Sequence, residues 1–223
     1  MISKLLSTAV KLYLRSQVER AEHLKVRIIS ANKQILTGYI PQVFLSCSRA
    51  VYQGLYLSQV ELQGANIAFN LPEVLKKQPL KLSQPIFVDL KLKLFAGDLQ
   101  ASVDSPLLQS GLNDLWKMIA TQQDLLTDSV IEWITIAIGD RELNLTGIYR
   151  DVFGKIQQLS LSTGISLADN HTLCLSPLKI VNASSTDKIE NELKIDLGTD
   201  VAVEQLIIEP DRILCVGKIK INS

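Results

Sequence analysis

Ile86-Phe-Val-Asp-Leu-Lys-Leu-Lys-Leu-Phe-Ala-Gly-Asp-Leu-Gln-Ala-Ser-Val103 opens with apolar and polar side chains in alternation, the pattern of a strand with one buried face. Ile86, Val88, Leu90, Leu92 and Leu94 share one side, while Phe87, Asp89, Lys91, Lys93 and Phe95 share the other. At about eighteen residues the run is three times the usual strand length, which predicts a strand crossing a large curved sheet with one strongly apolar surface. Gly97-Asp98 is where a turn or bulge would divide it, and the apolar face exists in either case.

Outward from this run, strand signal dominates. Leu24, Val26 and Ile28 alternate with Lys25, Arg27 and Ile29, then Ala31-Asn32-Lys33 turns the chain. Further strands are predicted near 34–48, 55–69, 131–138, 142–149, 156–168, 171–181, 193–197, 201–208 and 212–221. Helices interrupt at Leu71-Pro-Glu-Val-Leu and from Asp104-Ser-Pro onward, each with proline at a first helical position. At the start, Ile2, Leu5, Leu6, Ala9, Leu12 and Tyr13 recur at helical spacing opposite Lys4, Lys11 and Arg15, an amphipathic basic helix. No linker rich in Pro, Gly or Ser divides the chain, so residues 1–223 read as one α+β domain.

Composition narrows the function classes. Leu, Ile and Val number 36, 23 and 15, about a third of the 223 residues, whereas aromatics are 5%. Lys+Arg and Asp+Glu both number 23, which argues against a protein that coats nucleic acid. The balance is polarised, however: residues 1–103 hold 13 Lys/Arg against 6 Asp/Glu, and residues 104–223 hold 10 against 17.

Catalytic apparatus is missing from the pattern. The sequence has no G-x-S-x-G elbow, no phosphate-cradling glycine loop and no H-E-x-x-H. Asp140 and Glu142 fall at an apparent hairpin, where charged residues are expected on a solvated turn. Cys47, Cys174 and Cys215 sit among apolar neighbours without a C-x-x-C, and His23 and His171 have no local ligand partners. No cofactor or metal is implied. Trp116 and Trp133 belong to apolar periodic segments and read as core or groove lining. The longest charge-free stretch, from Gln34 to Ser48, is broken by Gly38 and Pro41 and is too short to span a bilayer. The first residues lack a secretory signal pattern, so the N-terminus is expected to be retained and the protein cytoplasmic, or peripheral on a cytoplasmic membrane face.

The segment from Thr37 to Phe69 carries a resemblance. Gly38, Ile40, Val43, Gly54, Leu55, Leu57, Val60, Leu62, Asn66 and Ile67 match the pattern of the LmeA-like phospholipid-binding family, in particular its cyanobacterial branch, and residues 196–221 resemble the family's closing strands. The resemblance implies a tubular-lipid-binding architecture: a long, highly curved antiparallel sheet wrapped around the N-terminal helix, leaving an apolar groove for acyl chains. It implies a non-enzymatic protein whose partners are a phospholipid-like amphiphile and a membrane surface, with no nucleic acid.

The residues expected to line the groove are Leu5, Leu6, Leu12, Val88, Leu90, Leu92 and Leu94, and those expected to dock on an anionic surface are Lys4, Lys11 and Arg15. The same pattern also describes a closed core with no ligand, in which case the protein is an interaction scaffold and the helix charges simply solvate its outer face.

Overall fold

The alternating run forms strand β4 (Ile86–Phe95) and stops there, ten residues long. Beyond Phe95 the apolar positions Ala96, Leu99 and Val103 fall three and four apart, and Ala96–Ala101 becomes a short helix that buries Leu99 and Val103. Ser58 Oγ accepts the Phe95 N–H at 2.7 Å, and Ser102 Oγ accepts the Tyr56 N–H at 2.8 Å. Side-chain hydroxyls thus replace strand pairing where β4 leaves its neighbour.

The computed structural model describes residues 18–76, 78, 81–122, 129–151, 153–182, 186–189 and 192–222. The expected single curved sheet is instead two open antiparallel sheets. The first contains β1 (Arg20–Ile29), β2 (Tyr39–Tyr52), β3 (Leu55–Ala68), β4, β11 (Val201–Glu209) and β12 (Arg212–Ile221), in the order β1-β2-β3-β4-β12-β11. The second contains β5 (Glu132–Ile138), β6 (Glu142–Arg150), β7 (Ile156–Asp169), β8 (Thr172–Asn182) and β10 (Leu193–Asp196), in the order β10-β8-β7-β6-β5, with β9 (Thr186–Ile189) also pairing β8. Helices α1 (Asn32–Leu36), α2 (Leu71–Leu75), α3 (Ala96–Ala101) and α4 (Pro106–Gln122) connect them. The N-terminal helix expected over residues 2–17 lies outside the described residues, so the sheet is not seen wrapping it.

Two cores hold this arrangement. One sits at an end of the first sheet and contains Ile35, Ile40, Ile67, Phe69, Ile86 and Val88. The other packs the α4 residues Leu112, Trp116 and Ile119 against Trp133, Leu159 and Leu161 of the second sheet, and it also takes in Ile208 of β11. Both tryptophans are therefore core. The sheets are further joined where the Val203 N–H donates to the Asn170 carbonyl at 2.7 Å.

An exposed sheet edge invites pairing with another chain. At the outer edge of β5 that pairing is supplied by amide side chains. Gln109 Nε2 donates to the Trp133 carbonyl at 2.7 Å while its Oε1 accepts the Trp133 N–H at 3.2 Å. Asn113 makes the same two-way contact with Ile131, both bonds at 2.8 Å. Gln100 of α3 donates to the Ile134 carbonyl and accepts the Ile136 N–H. Three amides on two helices thus stand in for a neighbouring strand.

Candidate functional site

Residues opposite one another in an antiparallel ladder project to the same face, so the register of the first sheet defines its surfaces. Leu92 faces Val60 on β3 and Cys215 on β12, and the row continues to Cys47 on β2 and Leu206 on β11. Leu90 lies in the parallel row with Leu62, Leu45 and Val26 on one side and Gly217 and Val203 on the other. Leu94 faces Ile213. One surface is therefore apolar across all six strands.

The middle of that surface differs from its ends. Leu90, Leu92 and Leu94 are only half-buried, as are Leu45, Cys47, Cys215 and Leu206, and among the described residues they join neither core. Val88, expected on the groove wall, is buried in the core at the sheet's end. The residues named in the strip carry no charge. Burial pushes the Cys47 and Cys215 thiols up, so both are neutral at physiological pH. Gly217 interrupts the row beside Leu90 because the bulge in β11 brings the Ala202 carbonyl within 2.2 Å of where a Cβ would stand.

The opposite surface of the same sheet carries the charged residues. A shallow depression of about 500 Å³ is lined by Lys25, Arg27, Lys91, Glu61 and Asp89, and also by Val26, Leu45, Leu62 and Leu90. The Arg27 guanidinium lies over the Phe44 ring at 5.8 Å. Both signs of charge meet there in an open setting.

The other sequence candidates resolve into structure. His171 Nδ1 faces two carbonyls, Val201 at 2.7 Å and Gly198 at 3.2 Å, so it must carry the proton and donate, tying the β7–β8 turn to the start of β11. Asp140 and Arg141 form the turn between β5 and β6, where the Gly139 N–H donates to the Glu142 carbonyl at 2.7 Å. Among the described residues no group of three or more His, Cys, Asp or Glu side chains could hold a metal ion. No described helix is long and apolar enough to cross a membrane. Leu5, Leu6, Leu12, Lys4, Lys11 and Arg15 lie outside the described residues.

Leu90, Leu92 and Leu94 lie on one face of β4. Leu45, Cys47, Cys215 and Leu206, which share the half-buried strip, were not among the sequence candidates. Their own alternation was visible, but the register that aligns them with β4 is a long-range fact.

The residues from Gly38 to Ile67 that carry the sequence pattern shape the backbone. Gln53 and Gly54 both have positive φ in the two-residue turn between β2 and β3. Asn66 also has positive φ, at 55°, and its Oδ1 accepts the Tyr39 hydroxyl at 2.5 Å. Gly38, at φ 74°, lets the Phe69 carbonyl approach to 2.7 Å from where a Cβ would be. A family model described as LmeA-like phospholipid-binding matches residues 1–218. The chain belongs to this phospholipid-binding family. No match was found among curated proteins or solved structures.

Proposed function

We propose that this LmeA-like protein binds a phospholipid-like amphiphile along the apolar strip centred on Leu90, Leu92 and Leu94, without catalysing a reaction on it, and docks reversibly on an anionic membrane surface. The observation that carries this reading is that Leu90, Leu92 and Leu94, with Leu45 and Leu206 in their rows, stay half-buried and outside both cores. A closed-core scaffold would have sealed those residues into one of them. In this reading residues 1–223 act as one tubular lipid-binding unit, with Leu5, Leu6 and Leu12 completing the groove wall and Lys4, Lys11 and Arg15 meeting lipid heads.

The energetics fit a binder of modest tail selectivity. Ten buried methylenes contribute about 8 kcal/mol, against an association cost of roughly 4–15 kcal/mol. Tail burial alone therefore gives weak binding, and contacts to the head group must supply the remainder.

Two cysteines provide a test without any substitution. Cys47 and Cys215 lie on the strip, and Cys174 is buried in the second sheet. Alkylation by iodoacetamide is followed peptide by peptide, with and without dioleoylphosphatidylglycerol, and the lipid is then recovered and weighed by mass spectrometry. Lipid slows labelling of Cys47 and Cys215 relative to Cys174 and is recovered unchanged. Equal labelling with and without lipid contradicts the groove, and a chemically altered lipid contradicts the non-enzymatic reading.

A further inference from the structure

One end of the first sheet differs from the rest of the surface. It is built from α1, α2 and the segment leading into β4, and it closes over the core that contains Ile35 and Phe69. The pieces are tied together by backbone: the Phe69 N–H donates to the Gly38 carbonyl at 2.9 Å, Asn70 N–H to the Lys81 carbonyl at 3.2 Å, and Lys81 N–H to Asn70 Oδ1 at 2.7 Å. Three large apolar side chains nevertheless point outward from this tied-down frame. Leu36 is 55% exposed, Leu75 60% and Phe87 62%. A stable surface rarely concentrates such residues without a partner.

Charge identifies the partner. Lys33, Lys76 and Lys81 stand on the same short elements, all exposed, and none forms an ion pair among the described residues. The acids at this end are Glu73, which is half-buried, and Asp200, which is held by Lys220 at 3.2 Å. Phe153 and Val130, the most exposed of all, have acids beside them, Phe153 lying between Asp151 and Lys155 and Val130 two residues from Glu132. Apolar side chains that enter the acyl boundary, ringed by lysines at phosphate depth, match an anionic bilayer surface.

We propose that this end of the first sheet is a membrane-insertion apex: Leu36, Leu75 and Phe87 enter the head-group boundary of an anionic bilayer while Lys33, Lys76 and Lys81 contact lipid phosphates. The inference rests on the lipid-binding reading for its partner, but it assigns a docking surface beyond Lys4, Lys11 and Arg15. It also places that surface at the end of the first sheet whose core contains Val88, next along β4 from Leu90.

The experiment is cosedimentation of the full chain with vesicles of phosphatidylcholine, with and without about 30% phosphatidylglycerol. Each lysine near such a surface contributes roughly fivefold in affinity, so Lys33→Gln/Lys76→Gln/Lys81→Gln weakens binding about a hundredfold. Leu36→Asp/Leu75→Asp weakens it at least tenfold, with circular dichroism unchanged because both side chains are already exposed. Should that pair misfold, Leu36→Trp decides the matter, since the introduced indole's fluorescence is quenched by brominated acyl chains only if the apex inserts. Thiol labelling of Cys47 and Cys215 with monomeric short-chain phosphatidylglycerol reads the groove separately. Apex variants that bind vesicles like wild type, or a Leu36→Trp variant whose added indole stays unquenched, overturn the apex whatever the groove does. So does a wild-type dimer that Leu36→Asp/Leu75→Asp dissolves without any vesicle binding. Loss of vesicle binding with intact lipid protection of the thiols supports the apex.

Discussion

Replacing Gln109 by Leu removes three hydrogen bonds while keeping the side chain's approximate size. The amide holds the Trp133 carbonyl at 2.7 Å, the Trp133 N–H at 3.2 Å and the Val103 carbonyl at 2.8 Å. Trp133 is 1% exposed and Val103 4%, so water has poor access to the groups left behind. Each bond contributes about 0.5–1.5 kcal/mol net, and each orphaned buried group costs about 1–3 kcal/mol. With relaxation of the strand edge, the expected loss is about 2–5 kcal/mol, a large share of a typical domain's 5–15 kcal/mol. For a chain of this size that lowers Tm by about 5–15 °C. The assay is thermal and urea unfolding followed by circular dichroism, with exposed Gln205→Leu as the control. The freed β5 edge is also expected to promote self-association, read by size-exclusion chromatography after mild heating. A Gln109→Leu variant within about 0.5 kcal/mol of Gln205→Leu refutes the role given to the amide ladder.

Three further outcomes are expected. Gly54→Ala places a Cβ 2.8 Å from the Ser105 Cβ at a φ of 78° and destabilises by about 1–3 kcal/mol, whereas Gly111→Ala, in an exposed helical position with open space around it, stabilises by about 0.5–1 kcal/mol; paired thermal melts with shifts of the same sign would contradict the local geometry. Leu90→Asp/Leu92→Asp abolishes lipid uptake, checked by lipid extraction from protein whose circular dichroism matches wild type. Lys4→Glu/Lys11→Glu/Arg15→Glu weakens cosedimentation with anionic vesicles, and unchanged binding removes those residues from the docking surface.

Much of the strand content was legible because period-two alternation is a local property. β7, β8, β11 and β12 fall within about a residue of their expected limits. The departures have identifiable causes. Ile35 and Leu36 look like the start of a strand, but Ile35 is fully buried from a single helical turn. Beyond Phe95 the apolar spacing shifts from two to three and four, which converts the expected continuation of β4 into α3. The division into two sheets was not legible, since alternation gives a strand's face and not its neighbour. Gln100 fell within the run read as a strand and Gln109 and Asn113 within the helix expected from Asp104 onward, and only the position of β5 turns them into an edge cap. Within the candidate site, Leu90, Leu92 and Leu94 were visible as a face, while Cys47 and Cys215 read only as buried thiols until register placed them in the Leu92 row.

Native mass spectrometry of the full chain, purified without detergent and then presented with phosphatidylglycerol, tests the central claim most directly. The account predicts a one-to-one complex whose added mass is that of an intact phospholipid, lost in Leu90→Asp/Leu92→Asp. A wild-type protein that shows only its bare mass under every lipid condition contradicts it.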